Sequence, residues 1–264
     1  MKVGVFGLGE AGSLIAADLA AKGIVTCAYD PANVETPAGV TRTSSPMDVV
    51  VDADFIISIT AGVDAVTALQ QALAGIAPHT GYADFSTNTA AAKLQLASIA
   101  ASRGFSFTDV ALMGTVPGKG ILTPALASGE GAARFVEVFS GLTMPVTRIS
   151  DRAGDAAARK LLRSIMMKGL ASCVIEAMRG ADEAGCTDWL WENIVEEISR
   201  ADRELLARLV SGSKTHARRR LYEMQASAAM LTELGVEPVM TRATVATLEQ
   251  LPQQVLPPIP GLPG

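Results

Sequence analysis

Lys160, Ser164 and Lys168 recur every fourth residue in the stretch RKLLRSIMMKG (159–169), a spacing that stacks all three on one face of a helix. Between them run Leu161, Leu162, Ile165, Met166 and Met167, which have the pattern of a buried core. A lysine beside a core is costly unless its head reaches water or a partner. The stripe therefore either snorkels to solvent or lines a cleft. A second constellation lies near the N-terminus, where Gly7, Gly9 and Gly12 form G-x-G-x-x-G directly after the apolar run KVGVF and at the head of an Ala-rich helical stretch. The first glycine permits a tight turn and the second lets a pyrophosphate approach the backbone. The third lets helix and strand pack closely, while the helix N-terminus faces the negative charge.

Asp30 ends the next strand-like run, 18 residues past Gly12, where the dinucleotide fingerprint calls for an acid. Its carboxylate can accept hydrogen bonds from both hydroxyls of an adenine ribose, and it repels a 2′-phosphate. The segment DPANVETPAGVTR carries no Lys or Arg before Arg42, so NAD is favoured over NADP, with Arg42 as the one residue that could fold back toward a phosphate. Within the turn, Leu8, Glu10 and Ala11 join the three glycines as candidate cofactor contacts, and Thr60, which closes the run DFIISIT, is placed with them.

These residues need a scaffold, and the pattern supplies one. Residues 1–150 alternate the strand-like runs KVGVF, IVTCAYD, DFIISIT, GYADFST, FSFTDVALM and MPVTRIS with the helical stretches EAGSLIAADLAAKG, GVDAVTALQQALAGI, NTAAAKLQLASIAASRG and GAARFVEVFSGL. Such alternation predicts an α/β Rossmann domain, a mostly parallel doubly wound sheet covered on both faces. After Ser150 the strand signals stop. One long helical pattern runs from Gly154 to Gly185, with Thr187 or Asp188 placed to cap the next helix. Two further stretches, DWLWENIVEEISRADRELLARLV and KTHARRRLYEMQASAAMLTELG, keep helical register, with Gly235 as a stop and a last short helix near 240–250. The boundaries read as a dinucleotide-binding domain over 1–150 and an all-α substrate and dimerisation domain over 151–264. The latter's end, 251–264, is a Pro-rich tail whose five prolines oppose helix.

Composition narrows the function class. Hydrophobic residues make up 49% of the 264 and charged ones 19%, as in a globular chain with a sizeable core. A net charge of −5 argues against a general nucleic-acid binder, and the basic run KTHARRR reads as a solvated helix face or an inter-element salt-bridge site. Three scattered cysteines and two histidines match neither a disulfide framework nor a zinc site, so no metal is expected. The N-terminus shows no signal-peptide cleavage pattern and no apolar run is long enough to span a bilayer, which predicts a cytoplasmic protein without membrane partners.

On the glycine turn and its context, the chain resembles the β-hydroxyacid dehydrogenase superfamily, including 6-phosphogluconate dehydrogenase-like proteins. FGLGEAGSLIAADLAAKG is similar to that family's N-terminal signature, and the DFST segment looks like the one placed beside the nicotinamide, which adds Ser86 and Thr87 to the cofactor contacts. DVALMGTVPGKGILT (109–123) sits where the family has its substrate segment, and Asp109, Gly114, Gly120, Leu122 and Thr123 match. The family serine that holds a substrate carboxylate falls on Met113, which cannot donate a hydrogen bond; Thr115 can stand in, and Met113, Gly114 and Thr115 are the candidate substrate contacts. The later helical region looks like a poorly characterised bacterial subgroup fused to such Rossmann domains.

The resemblance also assigns the lysine stripe. Lys160 falls where the family carries a general acid or base on its interdomain helix, and Ser164, in place of a family asparagine, would hydrogen-bond the same oxygen or a neighbouring hydroxyl. Lys168 lies roughly 12 Å farther along the axis, suited to a distal carboxylate or phosphate of the substrate. The resulting expectation is an NAD(P)-dependent oxidoreductase moving a hydride between a nicotinamide cofactor and a small polar hydroxy or carbonyl substrate, hydroxyacid-like in kind. Imine reductases share the architecture and are the alternative chemistry; a non-catalytic dinucleotide-binding dimer is the alternative of another class. A homodimer through the helical domain is expected, because the apolar faces with Trp189, Trp191, Leu205, Leu206, Leu209 and Met224 need more cover than one copy offers.

Overall fold

The structure, a computed structural model, describes residues 1–258, so the later part of the Pro-rich tail lies outside the described residues. Strands β1 (Lys2–Phe6), β2 (Val25–Tyr29), β3 (Val40–Arg42), β4 (Phe55–Ser58), β5 (Gly81–Asp84), β6 (Ser106–Leu112), β7 (Ala125–Ser128) and β8 (Val146–Ser150) form one sheet in the order β3-β2-β1-β4-β5-β6-β7-β8. Every neighbouring pair is parallel except β6 with β7. Helices α1 (Glu10–Ala21), α2 (Pro46–Val50), α3 (Ala65–Ala72), α4 (Ala90–Arg103) and α5 (Ala132–Gly141) cover it. The doubly wound, mostly parallel sheet expected from the alternation is present. β3 and β7 add to the six strands the alternation predicts: β3 is three residues on an edge, and β7 is ALAS, small residues with no β-branched signature.

Period-two alternation sorts the strand side chains onto two faces. Val3, Val5, Ile57, Ala83 and Val110 meet Ile15 and Leu19 of α1 and Phe135 and Phe139 of α5. Phe6, Ile56, Tyr82 and Phe107 meet Val49, Leu69, Leu96 and Ala100 of α2, α3 and α4. On the first face Phe135 and Phe139 stack at 4.2 Å, and Phe55 meets Phe139 edge-on at 5.3 Å. Truncating such a ring, as in Phe139→Ala, costs about 3–5 kcal/mol.

The chain divides into two compact units, Met1–Arg163 and Ser164–Gly264, and the division falls inside the long helix α6 (Asp155–Glu183) instead of near residue 150. The second unit continues with α7 (Thr187–Ser199), α8 (Arg203–Thr215), α9 (Ala217–Glu233) and α10 (Val239–Gln250). The helical run read through 188–210 is broken at Arg200–Asp202, because Asp202 turns out of the helix and caps α8, its Oδ1 accepting from the Leu205 amide at 2.7 Å. Neither Thr187 nor Asp188 caps α7; Cys186 holds that position without a side-chain bond. Gly235, at φ 77°, does end α9. The tail begins with a 3₁₀ turn at Leu251–Gln253, which Pro252 tolerates because it sits where no amide is needed.

One buried acid ties the second unit together. Glu176 of α6 accepts from the amides of Met240 and Thr241 (2.7 and 2.8 Å) and from the Thr241 hydroxyl (2.6 Å), so a side chain of α6 caps α10. Burial alone would raise its pKa, but the Thr241 hydroxyl and the amides of Met240, Thr241 and Val239 together hold it below the usual carboxylate range. Elsewhere this unit leaves apolar surface in the open. Ile165, Met166 and Met167, expected as core, are exposed, Ile165 at 72%, as is Leu162 just before the unit begins. Apolar spacing marks a face that favours cover, but it does not require the same chain to supply it.

Candidate functional site

The carboxyl ends of β1 and β4 adjoin where the strand order reverses, the place at which open α/β sheets leave a crevice. A cleft of about 450 Å³ opens there, lined by Gly7, Gly9, Tyr29, Asp30, Thr60 and Ala61 among others. The three glycines carry different constraints. A Cβ on Gly7, which sits at φ 90°, would lie 2.4 Å from the Ile59 carbonyl oxygen, and one on Gly12 would lie 2.0 Å from that of Gly7. A Cβ on Gly9 would meet nothing within 4 Å. Protein packing thus demands glycine at 7 and 12, while at 9 only an incoming group would. Gly9 is the N-cap of α1 and offers no side-chain cap, which leaves the amides of Glu10, Ala11 and Gly12 at a positive helix end. That donor set and open space fit a dinucleotide diphosphate.

Asp30 follows β2 and is held in place: Oδ2 accepts from the Leu8 amide at 2.7 Å and Oδ1 from the Ala32 amide at 2.8 Å. Each oxygen keeps lone-pair capacity for a ribose hydroxyl. Arg42, from β3, donates to the carbonyls of Val34 (2.7 Å), Asp30 (2.8 Å) and Ala32 (2.6 Å), so its guanidinium braces the loop behind Asp30. The Thr60 hydroxyl is buried without a hydrogen-bond partner and sits in the cleft wall.

A second pocket, too tight to admit a water molecule, is lined by Ser86, Thr87, Asn88, Asp109, Val110, Ala111, Ala157 and Lys160. Lys160 is half-buried, in the second turn of α6. Ser86 donates through Oγ to Asp84 Oδ2 at 2.7 Å, and Asn88 donates to the Gly62 carbonyl at 2.7 Å, which fixes the loop after β5. Beneath the pocket, Lys93 of α4 places Nζ 2.7 Å from Asp84 Oδ2 and 3.2 Å from Asp109 Oδ1, the second an ion-pair contact without hydrogen-bond geometry. Burial pushes the Tyr82 phenol far above its usual range, the Asp84 charge adds to this and Ser58 opposes it. Asp155, at the head of α6, has its carboxyl held below the usual range by the Ser150 hydroxyl first and Arg152 second, against a small desolvation cost.

The residues singled out from sequence fall into three places. Gly7, Gly9, Asp30 and Thr60 share the first cleft, with Leu8, Glu10, Ala11 and Gly12 on its turn and helix start. Ser86, Thr87 and Lys160 share the second pocket. Met113, Gly114 and Thr115 begin the loop after β6, while Ser164 and the exposed Lys168 belong to the second unit. Asp109, matched on sequence to a substrate segment, is fully buried and bonded inward. Lys93 was missed altogether. Its signal was its spacing to Leu96 and Ala100, the buried positions of α4. Among the described residues no group of three or more His, Cys, Asp and Glu is placed to hold a metal ion, and no helix is long and apolar enough to cross a membrane.

Comparison with known proteins agrees with this geometry. The family model for the NAD binding domain of 6-phosphogluconate dehydrogenase matches residues 2–136, and a model for a domain of unknown function (DUF1932) matches residues 181–251. An uncharacterized 28.5 kDa protein of Methanothermus fervidus is 28% identical over 138 residues, 52% of this chain and 53% of that protein, so the match spans about half of the relative's length. Among solved structures, a conserved hypothetical protein from Sinorhizobium meliloti 1021 is 25% identical with a TM-score of 0.61, over 94% of this chain and 87% of that one. The imine reductase of Myxococcus stipitatus, solved with NADP+ and as a variant with NAD+, superposes with a TM-score of 0.78 at 15% identity, over 95% of this chain and 92–93% of that one. At that identity the likeness is one of fold.

Proposed function

The chain belongs to the family of the NAD binding domain of 6-phosphogluconate dehydrogenase, and from that premise we propose that it is an NAD(P)-dependent oxidoreductase acting on a small polar, hydroxyacid-like alcohol or carbonyl compound. The observation that carries the reading is Lys160 lining one pocket with Ser86, Thr87 and Asn88 at the carboxyl end of β5. When bound, a nicotinamide dinucleotide supplies or accepts the hydride. The amides of Glu10, Ala11 and Gly12 neutralise diphosphate charge, and Asp30 accepts from the ribose hydroxyls. The Lys160 ammonium donates a proton to the oxygen on which charge develops during reduction, and the amine takes it back in the reverse direction. Ser164 serves as a second donor, Lys168 as the group for a distal anion, and Met113, Gly114 and Thr115 as substrate contacts. Arg42, already engaged by three carbonyls, supports a preference for NAD over NADP.

Imine reduction is the second reading. It is favoured by Met113, which cannot hold a carboxylate as the corresponding family serine does, and by the fold shared with imine reductases. The same Lys160 would then deliver its proton to nitrogen. We further propose a homodimer built through the second unit, where Ile165, Trp189, Leu206 and Leu209 stand exposed, acting in the cytoplasm, whose reducing conditions suit the free cysteines Cys27, Cys173 and Cys186. Calorimetric titration with NAD+ and NADP+, followed by turnover assays against hydroxy acids, polyols and cyclic imines, tests the reading. Tighter NADP+ binding overturns the preference, and binding without turnover on any class favours a non-catalytic dinucleotide-binding protein.

A further inference from the structure

Lys160 is placed by the helix that carries it, and the first turn of that helix is held in an unusual way. A helix start leaves four amides without partners, and a neighbour in sequence commonly supplies the cap. At α6 the cap comes from the middle of the sheet. Asp109 Oδ2 accepts from the amides of Gly154 (3.1 Å) and Ala157 (3.0 Å), and Ser128 Oγ accepts from the amide of Ala156 (3.0 Å) while donating to the same Asp109 oxygen (3.1 Å). Behind Asp109 stands Lys93, 3.2 Å from its Oδ1 as an ion pair, which donates to the Asp84 carboxylate (2.7 Å) and to the Asp84 carbonyl (2.9 Å). The side chains of Asp84, Lys93 and Asp109 are all 0% exposed.

Two carboxylates against one ammonium leave a buried net negative charge, which the positive end of α6 partly offsets. Such clusters seldom stabilise a fold better than apolar residues of the same size would. A Leu at position 93 would continue the stripe of Leu96 and Ala100, so packing does not explain the lysine. Position does. Asp109 lines the same pocket as Lys160, and it grips the turn immediately before the one on which Lys160 sits.

We propose that Asp109, backed by Lys93 and Asp84, is the positioning residue for Lys160: it pins the first turn of α6 and so fixes how the Lys160 ammonium enters the pocket shared with Ser86, Thr87 and Asn88. This rests on Lys160 being the proton donor. Lys93 stands between the two buried carboxylates, 2.7 Å from Asp84 Oδ2 and 3.2 Å from Asp109 Oδ1, and so holds Asp109 in place against the start of α6.

The test uses the full-length protein and needs no substrate. The acetylation rate of Lys160 by N-hydroxysuccinimidyl acetate is followed by peptide mass spectrometry across pH, normalised to the exposed Lys119, with NAD+ affinity measured in parallel. Asp109→Asn is expected to change the relative rate by about fivefold, the weight of one ordinary helix cap, with NAD+ affinity unchanged. Ser128→Ala should move it in the same direction by less. Lys93→Met alone should disturb the profile, whereas Lys93→Met with Asp84→Asn, which keeps the buried net charge and leaves Asp109 intact, should bring it back. An unaltered Lys160 profile in Asp109→Asn and Ser128→Ala, with only melting temperature reduced, overturns the proposal. If Asp109→Asn does not fold, Ser128→Ala and the double variant decide it. Full turnover in Lys160→Met would remove the proton-donor role without changing the labelling result, so the two failures read separately.

Discussion

In the unit Met1–Arg163, nearly every apolar run finds its cover within the unit: strand faces meet α1 and α5 on one side and α2, α3 and α4 on the other. In the unit Ser164–Gly264 the buried apolar residues among the described ones are few, namely Ala181, Ala207, Ala217, Leu231, Val236, Leu248 and Leu251, while Trp189 is 67% exposed and Ile165, Leu206 and Leu209 are open as well. That unit also holds an apolar-walled cavity of about 470 Å³ beside Cys173, Cys186 and Trp189. The difference is one of topology. A parallel sheet must be covered on both faces by its own crossover helices, whereas a helix can leave its stripe for another surface to cover. The first unit therefore covers its own apolar faces, and the second leaves part of its apolar surface exposed.

The comparison can be broken most sharply at Lys160. If Lys160 serves proton transfer and not dinucleotide binding, Lys160→Met should lower turnover at least ~10²-fold while leaving NAD+ affinity unchanged, once the substrate screen provides an assay. Near-normal turnover would move the proton donor elsewhere. Next come the glycines, where folding and binding should separate. Gly9→Ala should keep its melting temperature and weaken NAD+ binding by about tenfold, ~1.4 kcal/mol, because only the ligand needs that space. Gly12→Ala should instead lower the melting temperature, since its Cβ would lie 2.0 Å from the Gly7 carbonyl oxygen.

For the second unit, Ile165→Ser should weaken self-association by about tenfold if its side chain is covered by another copy, a loss of ~1.5 kcal/mol or more. Light scattering across micromolar concentrations checks this, and a monomeric parent protein would end the dimer proposal. The smallest expected effect concerns Glu176. Its folded-state pKa lies below the ordinary value of 4.5, so ionised Glu176 stabilises the fold above that value. The contribution is lost as pH falls through the lower folded value. Both tryptophans, Trp189 and Trp191, are in this unit, so their fluorescence reports its unfolding. Acid unfolding followed by that signal should be less pH-dependent in Glu176→Gln than in the parent. Identical curves would show that the cap on α10 is held without the charge.

Much was legible in the sequence because its signals are local. The glycine turn, Asp30 at the end of its strand, the alternation of runs and the long helix starting near Gly154 each depend on residues within a few positions of one another, where backbone geometry leaves little choice. What only the tertiary structure decided depends on partners far apart in the chain. Arg42 reads equally well as a phosphate ligand or a strut until the carbonyls of Asp30, Ala32 and Val34 are seen around it. The apolar residues beside Lys160 look like core until Ile165 is found in the open. Lys93, in an Ala-rich helix, carries no mark of a role, and Asp109 only matches a substrate segment, until the sheet brings Asp84 and the start of α6 against them. Spacing along a chain states which face a residue occupies. Whether a charge on that face is solvated or paired depends on long-range packing, which the spacing does not encode.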